Sequence, residues 1–215
     1  MLHVMCCMVI PAILVKSQKE FQEKIKKIAP YADTVQIDIM DGAFVPNTTW
    51  ADADIIEHLH SPMKFEAHLM VENPEHGTIE KWAKAGAFRI IFHIEATRQP
   101  EECIGQIKKF KREVGIAINP KTPVEKIKKL LPKIDYVLVM GVTPGFSGQK
   151  FQSIALQKIK QIHRLAPKVT ISVDGGVDKN TAKKLYAAGA DALCSASSIF
   201  KSKNIRKAIE GLENE

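Results

Sequence analysis

The chain has 215 residues, 45% of them hydrophobic, and a formal net charge of +7. This size and composition fit one soluble globular domain, predicted over residues 1–215, and no apolar run approaches the ~20 residues that span a bilayer. The lysines recur at helical spacing along the chain and no nucleic-acid-binding motif accompanies them, so neither a nucleic acid nor a membrane is an expected partner.

The amino-terminal segment MLHVMCCMVIPAIL is apolar, but it has neither a basic beginning nor a small-residue cleavage site. Its alternating pattern favours a first β-strand over a signal peptide, and we expect a cytoplasmic protein. The four cysteines form no CxxC pair and lie at no zinc-finger spacing. They therefore indicate buried or free thiols rather than a disulfide framework.

From residue 8 onwards, short β-rich segments alternate with amphipathic ones. The predicted strands are 8–14, 34–40, 64–71, 89–96, 114–119, 136–142, 169–175 and 190–197. The predicted helices are 17–28, 78–85, 101–111, 124–131, 155–165 and 181–188. Strands and helices that alternate without a hairpin signal indicate parallel pairing. Eight such repeats favour a closed (β/α)8 TIM barrel, in the α/β class, over an open doubly wound sheet.

Polar side chains interrupt three of the predicted strands. Period-2 alternation places Gln36, Asp38 and Met40 on one side of the second strand, His68 lies in the third, and the seventh ends in Asp174 and two glycines. Buried carboxylates are rare unless they are paired, metal-bound or catalytic. Because barrels carry their chemistry at the carboxyl ends of the strands, Asp38 and Asp174 are candidate functional residues. The alternatives are aspartates that cap loops and a histidine whose hydrogen bonds are satisfied in the core.

Three further polar residues near strand ends indicate structural roles. His93 and Glu95 lie in the fourth predicted strand, and we interpret both as structural. Asp41 follows the second strand directly and is predicted to fix the conformation of its own loop.

Segments after the last three strands could bind an anion. The sixth strand is followed by PGFSGQ at 144–149, a turn that can direct backbone N–H groups at a phosphate. The eighth strand ends in SASS at 195–198, before a short helical turn. Barrels often bind phosphate beside strands 7 and 8, so these segments together with the Asp-Gly-Gly of the seventh strand predict a phosphorylated ligand.

At these positions the chain resembles the ribulose-phosphate 3-epimerase family, metal-dependent (β/α)8 enzymes of the pentose phosphate pathway. The resemblance extends over nearly the whole chain. It rests on the blocks 38–47 (DIMDGAFVPN), 68–74 (HLMVENP), 92–96 (FHIEA), 119–123 (NPKTP), 139–149 (VMGVTPGFSGQ) and 173–176 (VDGG). It implies an isomerase of carbohydrate metabolism that interconverts D-ribulose 5-phosphate and D-xylulose 5-phosphate through an enediolate.

The resemblance also implies roles for individual residues. Asp38 and Asp174 would be the catalytic acid and base, and Asp38, His68, Asp174 and Gln36 occupy the positions of the ligands to Zn2+, Fe2+, Mn2+ or Co2+. The substrate would contact side chains near its reacting carbons and backbone around its phosphate. The implied set is His68, Met40, Met70, Met140, Gly145, Phe146, Ser147, Gly148, Gly175, Gly176, Ala196 and Ser197.

Three positions depart from the family pattern. Gln36 replaces a metal-binding histidine, Ala12 replaces a serine that contacts substrate, and Ala196 replaces the usual glycine of the phosphate loop. An amide oxygen is a poor ligand for zinc and a better one for harder ions, so metal binding should be weaker or absent.

These departures leave two alternative functions open. One is an epimerase or isomerase of another phosphosugar, such as a ketohexose 6-phosphate, working with or without metal. The other is a phosphosugar-binding protein without catalysis. Family members commonly associate, so a homo-oligomer is also open.

Overall fold

Eight parallel strands form a closed barrel at the centre of the structure, a computed structural model that describes residues 8–58, 63–146 and 148–213. Each strand pairs with the next along the chain, and the last pairs with the first. The predicted (β/α)8 barrel is therefore confirmed. The strands are β1 Met8–Ile13, β2 Thr34–Met40, β3 Lys64–Met70, β4 Arg89–His93, β5 Glu113–Ile118, β6 Tyr136–Met140, β7 Thr170–Asp174 and β8 Ala192–Ser195.

Helices follow most of the strands and cover the outside of the barrel. Within the described residues, no helix is both long and apolar enough to cross a membrane. In the helix Lys179–Ala188, local signals set both ends: Asp178 and Thr181 form a capping box at its start, and Gly189 ends it in the left-handed conformation. The helices are α1 Gln18–Ile28, α2 Ala53–His58, α3 Thr78–Lys84, α4 Pro100–Lys109, α5 Ile154–Leu165, α6 Lys179–Ala188, α7 Ser197–Phe200 and α8 Ile205–Glu213.

The strands divide their side chains between two environments. Val35, Ile37 and Ile39 of β2 belong to the large apolar cluster that the strands share with the helices. The intervening Gln36 and Asp38 are also buried, but they face the barrel interior and contact side chains of β3 and β7. This alternation, which the period of two in a strand requires, brings polar groups from non-adjacent strands together at one end of the barrel.

The predicted helix at 124–131 is wrong. Two short 3₁₀ helices, Val124–Lys126 and Leu131–Lys133, occupy this region instead. Pro123 and Pro132 bracket the segment, and a proline removes an N–H donor and disfavours α conformation in the residue before it. The two turns are closed by i to i+3 hydrogen bonds, such as those from Lys126 N to the Pro123 carbonyl oxygen and from Lys133 N to the Leu130 carbonyl oxygen, and apolar side chains of the segment still reach the core.

Two observed helices, α2 and α8, were not predicted. Helix α2 follows Asp52, whose side-chain oxygen accepts hydrogen bonds from the backbone of Asp54 and Ile55. Helix α8 buries Ile209 and Leu212, which lie three residues apart in the sequence. The sequence does contain a signal for each helix, the capping aspartate for α2 and the apolar spacing for α8. Both helices are short, however, with 6 and 9 residues.

We expect Gly141, just after β6, to be required for packing. A Cβ atom there would collide with the Gly175 carbonyl oxygen and lie 2.9 Å from two ring carbons of Phe151. Gly141→Ala should lower the free energy of unfolding by about 1–3 kcal/mol, as overpacking does. Gly105→Ala is the matched control: Gly105 lies in α4 with no atom within 4 Å of the added methyl, so it should stabilise by roughly 0.5–1 kcal/mol. Urea denaturation of both variants tests this, and an unchanged Gly141→Ala midpoint would contradict it.

Candidate active site

Three strands bring one side chain each to the centre of the site. Asp38 of β2 lies opposite His68 of β3 in the strand register, and Asp174 ends β7. The Nδ1 atom of His68 is 3.0 Å from Asp38 Oδ1 and 3.6 Å from Asp174 Oδ2. One potential ligand atom from each residue lies within 4.8 Å of the others, so the three form a group that could hold a metal ion.

Gln36 links the two carboxylates. Its Nε2 atom donates hydrogen bonds to Asp38 Oδ1 at 2.9 Å and to Asp174 Oδ2 at 3.0 Å. The side-chain oxygen, Oε1, is buried and has no hydrogen-bond partner among the described residues. The family resemblance placed Gln36 at the position of a metal ligand, and in the structure its amide N–H groups lie between the two carboxyl groups as neutral donors.

Burial changes the protonation of this cluster. Loss of water raises the pKa of Asp38 to about 7, and loss of water together with the nearby charge of Asp38 raises the pKa of Asp174 to about 6. Burial also lowers the pKa of His68 to about 4, so its imidazole is neutral at physiological pH. The two carboxyl groups are thus able to exchange protons near neutrality while the histidine stays uncharged.

His93 and Glu95 extend the cluster away from the cavity. His93 at the end of β4 places its Nε2 atom 2.9 Å from Nε2 of His68, and its Nδ1 atom is 3.4 Å from Glu95 Oε2. The sequence indicated a structural role for this pair. Nothing in the spacing of the fourth strand signalled contact with His68, because that contact depends on neighbouring strands of the closed barrel.

A cavity opens from the carboxylates to the surface between the loops after β6, β7 and β8. This cavity is lined by all but two of the residues that were predicted to contact substrate. His68 does not, because it is fully buried beneath Asp38, and Ser147 lies outside the described residues. The predicted residues in the lining are Met40, Met70, Met140, Gly145, Phe146, Gly148, Gly175, Gly176, Ala196 and Ser197.

Close packing accounts for both glycines after β7. Gly175 and Gly176 have φ angles of +94° and +69°. A methyl group on Gly176 would lie 2.8 Å from the Phe151 Cα atom, and one on Gly175 would collide with Val142. These residues therefore present backbone rather than side chains to the cavity.

The loop after β2 is tied to the cavity by contacts that the sequence did not reveal. The Asn47 side chain donates to the Gly145 carbonyl oxygen at 2.6 Å and accepts from Lys16 Nζ, also at 2.6 Å. Asp41 accepts hydrogen bonds from the backbone of Ala43 and Phe44, as expected of a residue that fixes its own loop. The loops after β2 and β6 are consequently joined above the two carboxylates.

The structure accommodates both alanines that differ from the family pattern without backbone strain. Ala12 is buried and lies beside Gln36 in the register of β1 and β2. Ala196 borders the cavity with a φ of −105°, which alanine adopts readily, so the backbone conformation does not require glycine there.

The fold and the site together define a (β/α)8 barrel enzyme with paired carboxyl groups at the carboxyl ends of its strands. The family described as the ribulose-phosphate 3 epimerase family matches residues 8–200. The chain belongs to this family, which confirms the resemblance inferred from sequence.

Named relatives agree with this assignment. A ribulose-phosphate 3-epimerase of Bacillus subtilis is 38% identical over 209 residues, covering 94% of this chain and 95% of that protein. The cytoplasmic isoform from Oryza sativa subsp. japonica is 39% identical and covers 85% of each. Among solved structures, 3-hexulose-6-phosphate synthase from Salmonella typhimurium superposes with a TM-score of 0.74 at 14% identity, covering 96% of this chain and 97% of that one. That likeness concerns the fold alone.

The raised pKa of Asp38 predicts a pH-dependent stability difference in metal-free protein. A carboxyl group whose folded pKa is about 7 rather than 3.8 favours folding at low pH, and this contribution disappears as the pH rises through 7. In EDTA at pH 8, Asp38→Asn should therefore be more stable than wild type by about 2–4 kcal/mol, from roughly 1.4 kcal/mol per pKa unit. The difference should shrink towards pH 4.

Chemical denaturation at pH 8, 6 and 4 measures this difference. Asp54→Asn provides the control, because it is the same substitution on a side chain that is 78% exposed and lies outside the buried cluster. A stability difference for Asp38→Asn that is the same at every pH would show that Asp38 is not protonated near neutrality.

Proposed function

We propose that the protein interconverts D-ribulose 5-phosphate and D-xylulose 5-phosphate, with Asp38 and Asp174 moving the proton at C3. The assignment as an epimerase rests on family membership. One observation supports the roles of the residues: the two carboxyl groups meet across the barrel mouth, joined by the Gln36 amide, where the cavity ends.

Inversion at C3 requires one group that removes a proton and another that supplies one. The C3 hydrogen is acidic because the neighbouring carbonyl delocalises the carbanion as an enediolate, and reprotonation on the opposite face gives the epimer. Two carboxyl groups with pKa values of about 7 and about 6 suit this exchange, because at neutral pH each is close to the midpoint of its own protonation. Their mutual repulsion favours a state in which one is protonated and the other ionised.

The phosphate would bind at the far side of the cavity. Backbone N–H groups of 145–148, of Gly175 and Gly176, and of Ala196 and Ser197 are the proposed donors. Glycine at 175 and 176 keeps side chains out of this region, which lets an anion approach the backbone. Met40, Met70 and Met140 would pack against the planar intermediate, where a polarizable thioether makes favourable contacts.

The residues present partly fit a divalent metal ion. Asp38, His68 and Asp174 offer two carboxylate oxygens and an imidazole nitrogen within 4.8 Å of one another, and these would hold the ion. Gln36 directs N–H rather than oxygen at the carboxylates, so it could add a fourth ligand only through rotation of its amide group. When bound, the ion would stabilise negative charge on the enediolate oxygens. Zn2+, Fe2+, Mn2+ and Co2+ are the candidates, and an amide oxygen favours the harder ones.

The Gln36 bridge also favours a second candidate function, a metal-independent epimerase or isomerase of a related phosphosugar. The neutral Gln36 amide donates hydrogen bonds to both carboxylates and so holds them close together, as a bound cation would. A cytoplasmic location, a homo-oligomeric state and the absence of nucleic-acid and membrane partners remain predictions.

Exchange of the C3 proton with solvent tests the proposal directly. Incubation with ribulose 5-phosphate in deuterated water, in EDTA or with added Zn2+, Fe2+, Mn2+ or Co2+, should give C3 deuterium. We expect Asp174→Asn to reduce this exchange by at least about 10²-fold, the usual contribution of a general acid or base. Binding of the sugar phosphate, followed by thermal shift, should persist.

Asp178→Asn is the matched control, because asparagine caps α6 as well as aspartate does and position 178 is outside the cavity. An unchanged exchange rate in Asp174→Asn would refute its role. Exchange that EDTA does not affect would favour the metal-independent candidate, and thermal stabilisation by the sugar phosphate without exchange would indicate a binding protein.

Restoring an imidazole at position 36 should strengthen metal binding. We expect Gln36→His to bind Mn2+ or Co2+ at least about tenfold more tightly, since even outer-sphere partners of a metal change its affinity by 10–100-fold. Calorimetric titration of the metal measures this. Gln36→Met, which removes the amide without adding a strong ligand, should not tighten binding, and equal affinities for the two variants would show that position 36 does not face the ion.

A further inference from the structure

Two buried histidines and a glutamate form a row of polar contacts behind the carboxylates. His68 Nδ1 lies 3.0 Å from Asp38 Oδ1, and His68 Nε2 lies 2.9 Å from His93 Nε2. His93 Nδ1 lies 3.4 Å from Glu95 Oε2. The other oxygen of Glu95 accepts the backbone N–H of Asn119 at 2.9 Å. The row therefore runs without a break from a carboxylate of the site to a carboxylate outside the cavity.

The row can carry its hydrogens in only one of two directions. A neutral imidazole has one N–H donor and one bare nitrogen that accepts. The contact between the two Nε2 atoms needs one donor and one acceptor, so the choice at His93 determines the choice at His68. Either both rings direct their N–H groups towards Glu95, or both direct them towards Asp38.

Glu95 favours the first direction. An ionised carboxylate only accepts hydrogen bonds, and Glu95 already receives one from the Asn119 backbone. Burial raises the pKa of Glu95, but His93, Thr122 and the Asn119 backbone together hold it below its usual value. Independently of His93, the Asn119 N–H donates to this carboxyl group, and the Glu95 side chain keeps 17% of its surface exposed, which also favours the ionised form. An ionised Glu95 requires the hydrogen of His93 on Nδ1. His93 Nε2 is then bare, and the hydrogen of His68 lies on Nε2.

We infer that Glu95, acting through His93, holds His68 in the Nε2–H tautomer and directs the bare Nδ1 atom at Asp38 and Asp174. Glu95 is then a positioning residue for the acid–base site. Its effect on metal binding and catalysis rests on the function proposed above, whereas the tautomer itself does not. A bare nitrogen beside two carboxylate oxygens leaves a space that suits a metal ion or a shared proton.

Nuclear magnetic resonance of 15N-histidine protein in EDTA distinguishes the two directions, because the bare and protonated nitrogens of a neutral ring have well-separated shifts. We expect Nδ1 of His68 and Nε2 of His93 to be the bare atoms. Protonation of His68 at Nδ1 in the wild-type protein would overturn the inference without any variant being needed.

Glu95→Gln should reverse the direction in which the two histidines donate their N–H groups. The Asn119 N–H will retain the amide oxygen as its acceptor, so the new NH2 group replaces Oε2 and donates to His93 Nδ1. His68 should then carry its hydrogen on Nδ1. The affinity of the variant protein for Mn2+ or Co2+ should fall roughly 10- to 100-fold, as for loss of an outer-sphere partner. Unchanged tautomers in this variant would refute the role of Glu95.

Glu75→Gln separates this effect from a loss of stability. Glu75 is also buried and accepts hydrogen bonds from Thr97 and Cys103, but it is not connected to the row. We expect Glu75→Gln to lower the melting temperature while leaving the nitrogen shifts of His68 and the metal affinity unchanged. Altered His68 shifts in both variants would indicate a general structural effect and overturn the proposal. Correct tautomers without any C3 exchange would instead refute only the proposed enzymatic function.

Discussion

The site is governed by the placement of two carboxyl groups where water is scarce, at the mouth of a barrel whose walls leave little room for relaxation. Asp38 is 6% exposed, and the two side chains that bridge or support it, Gln36 and His68, are fully buried. A buried carboxylate is costly unless a partner stabilises it, and two close together repel as well. Gln36 and His68 can be understood as responses to that cost, the first because it donates hydrogen bonds and the second because it offers a ligand atom beside a space for a positive charge.

Gln36 provides one such response, and it differs in kind from the imidazole that the family uses at this position. An imidazole presents one bare nitrogen to a cation, whereas an amide can direct either N–H groups or an oxygen at its neighbours. Here the N–H side faces Asp38 and Asp174, and the oxygen has no partner among the described residues. The metal-free site is thereby stabilised, and any ion must displace these hydrogen bonds before it binds. The exchange of histidine for glutamine thus affects the empty site as much as the occupied one.

The fold and the centre of the site could be predicted from the sequence because they depend on local periodicity. Alternation in β2 places Gln36 and Asp38 inward whatever the rest of the chain does, and a closed barrel then requires that inward residues of separate strands meet. The contact of His93 with His68 needs the register between β3 and β4 and the orientation of two rings, which no spacing in one strand encodes. The prediction for segment 124–131 failed although its apolar residues do reach the core, because their spacing alone does not distinguish an α-helix from two short 3₁₀ helices.

The direction of hydrogen bonding links these observations. In the Nε2–H tautomer, His68 contributes no hydrogen to the space it shares with the carboxylates, and the donors directed there are the two N–H bonds of Gln36. Three acceptor atoms, two carboxylate oxygens and one imidazole nitrogen, lie within 4.8 Å of one another. The hydrogen bonds of Gln36 offset part of the repulsion among these atoms, and a proton or a metal ion among them stabilises the arrangement further. A proton takes this place at neutral pH because the pKa of Asp38 is raised to about 7. The same burial that makes the carboxylates costly therefore keeps a transferable proton at the place where the substrate would need one.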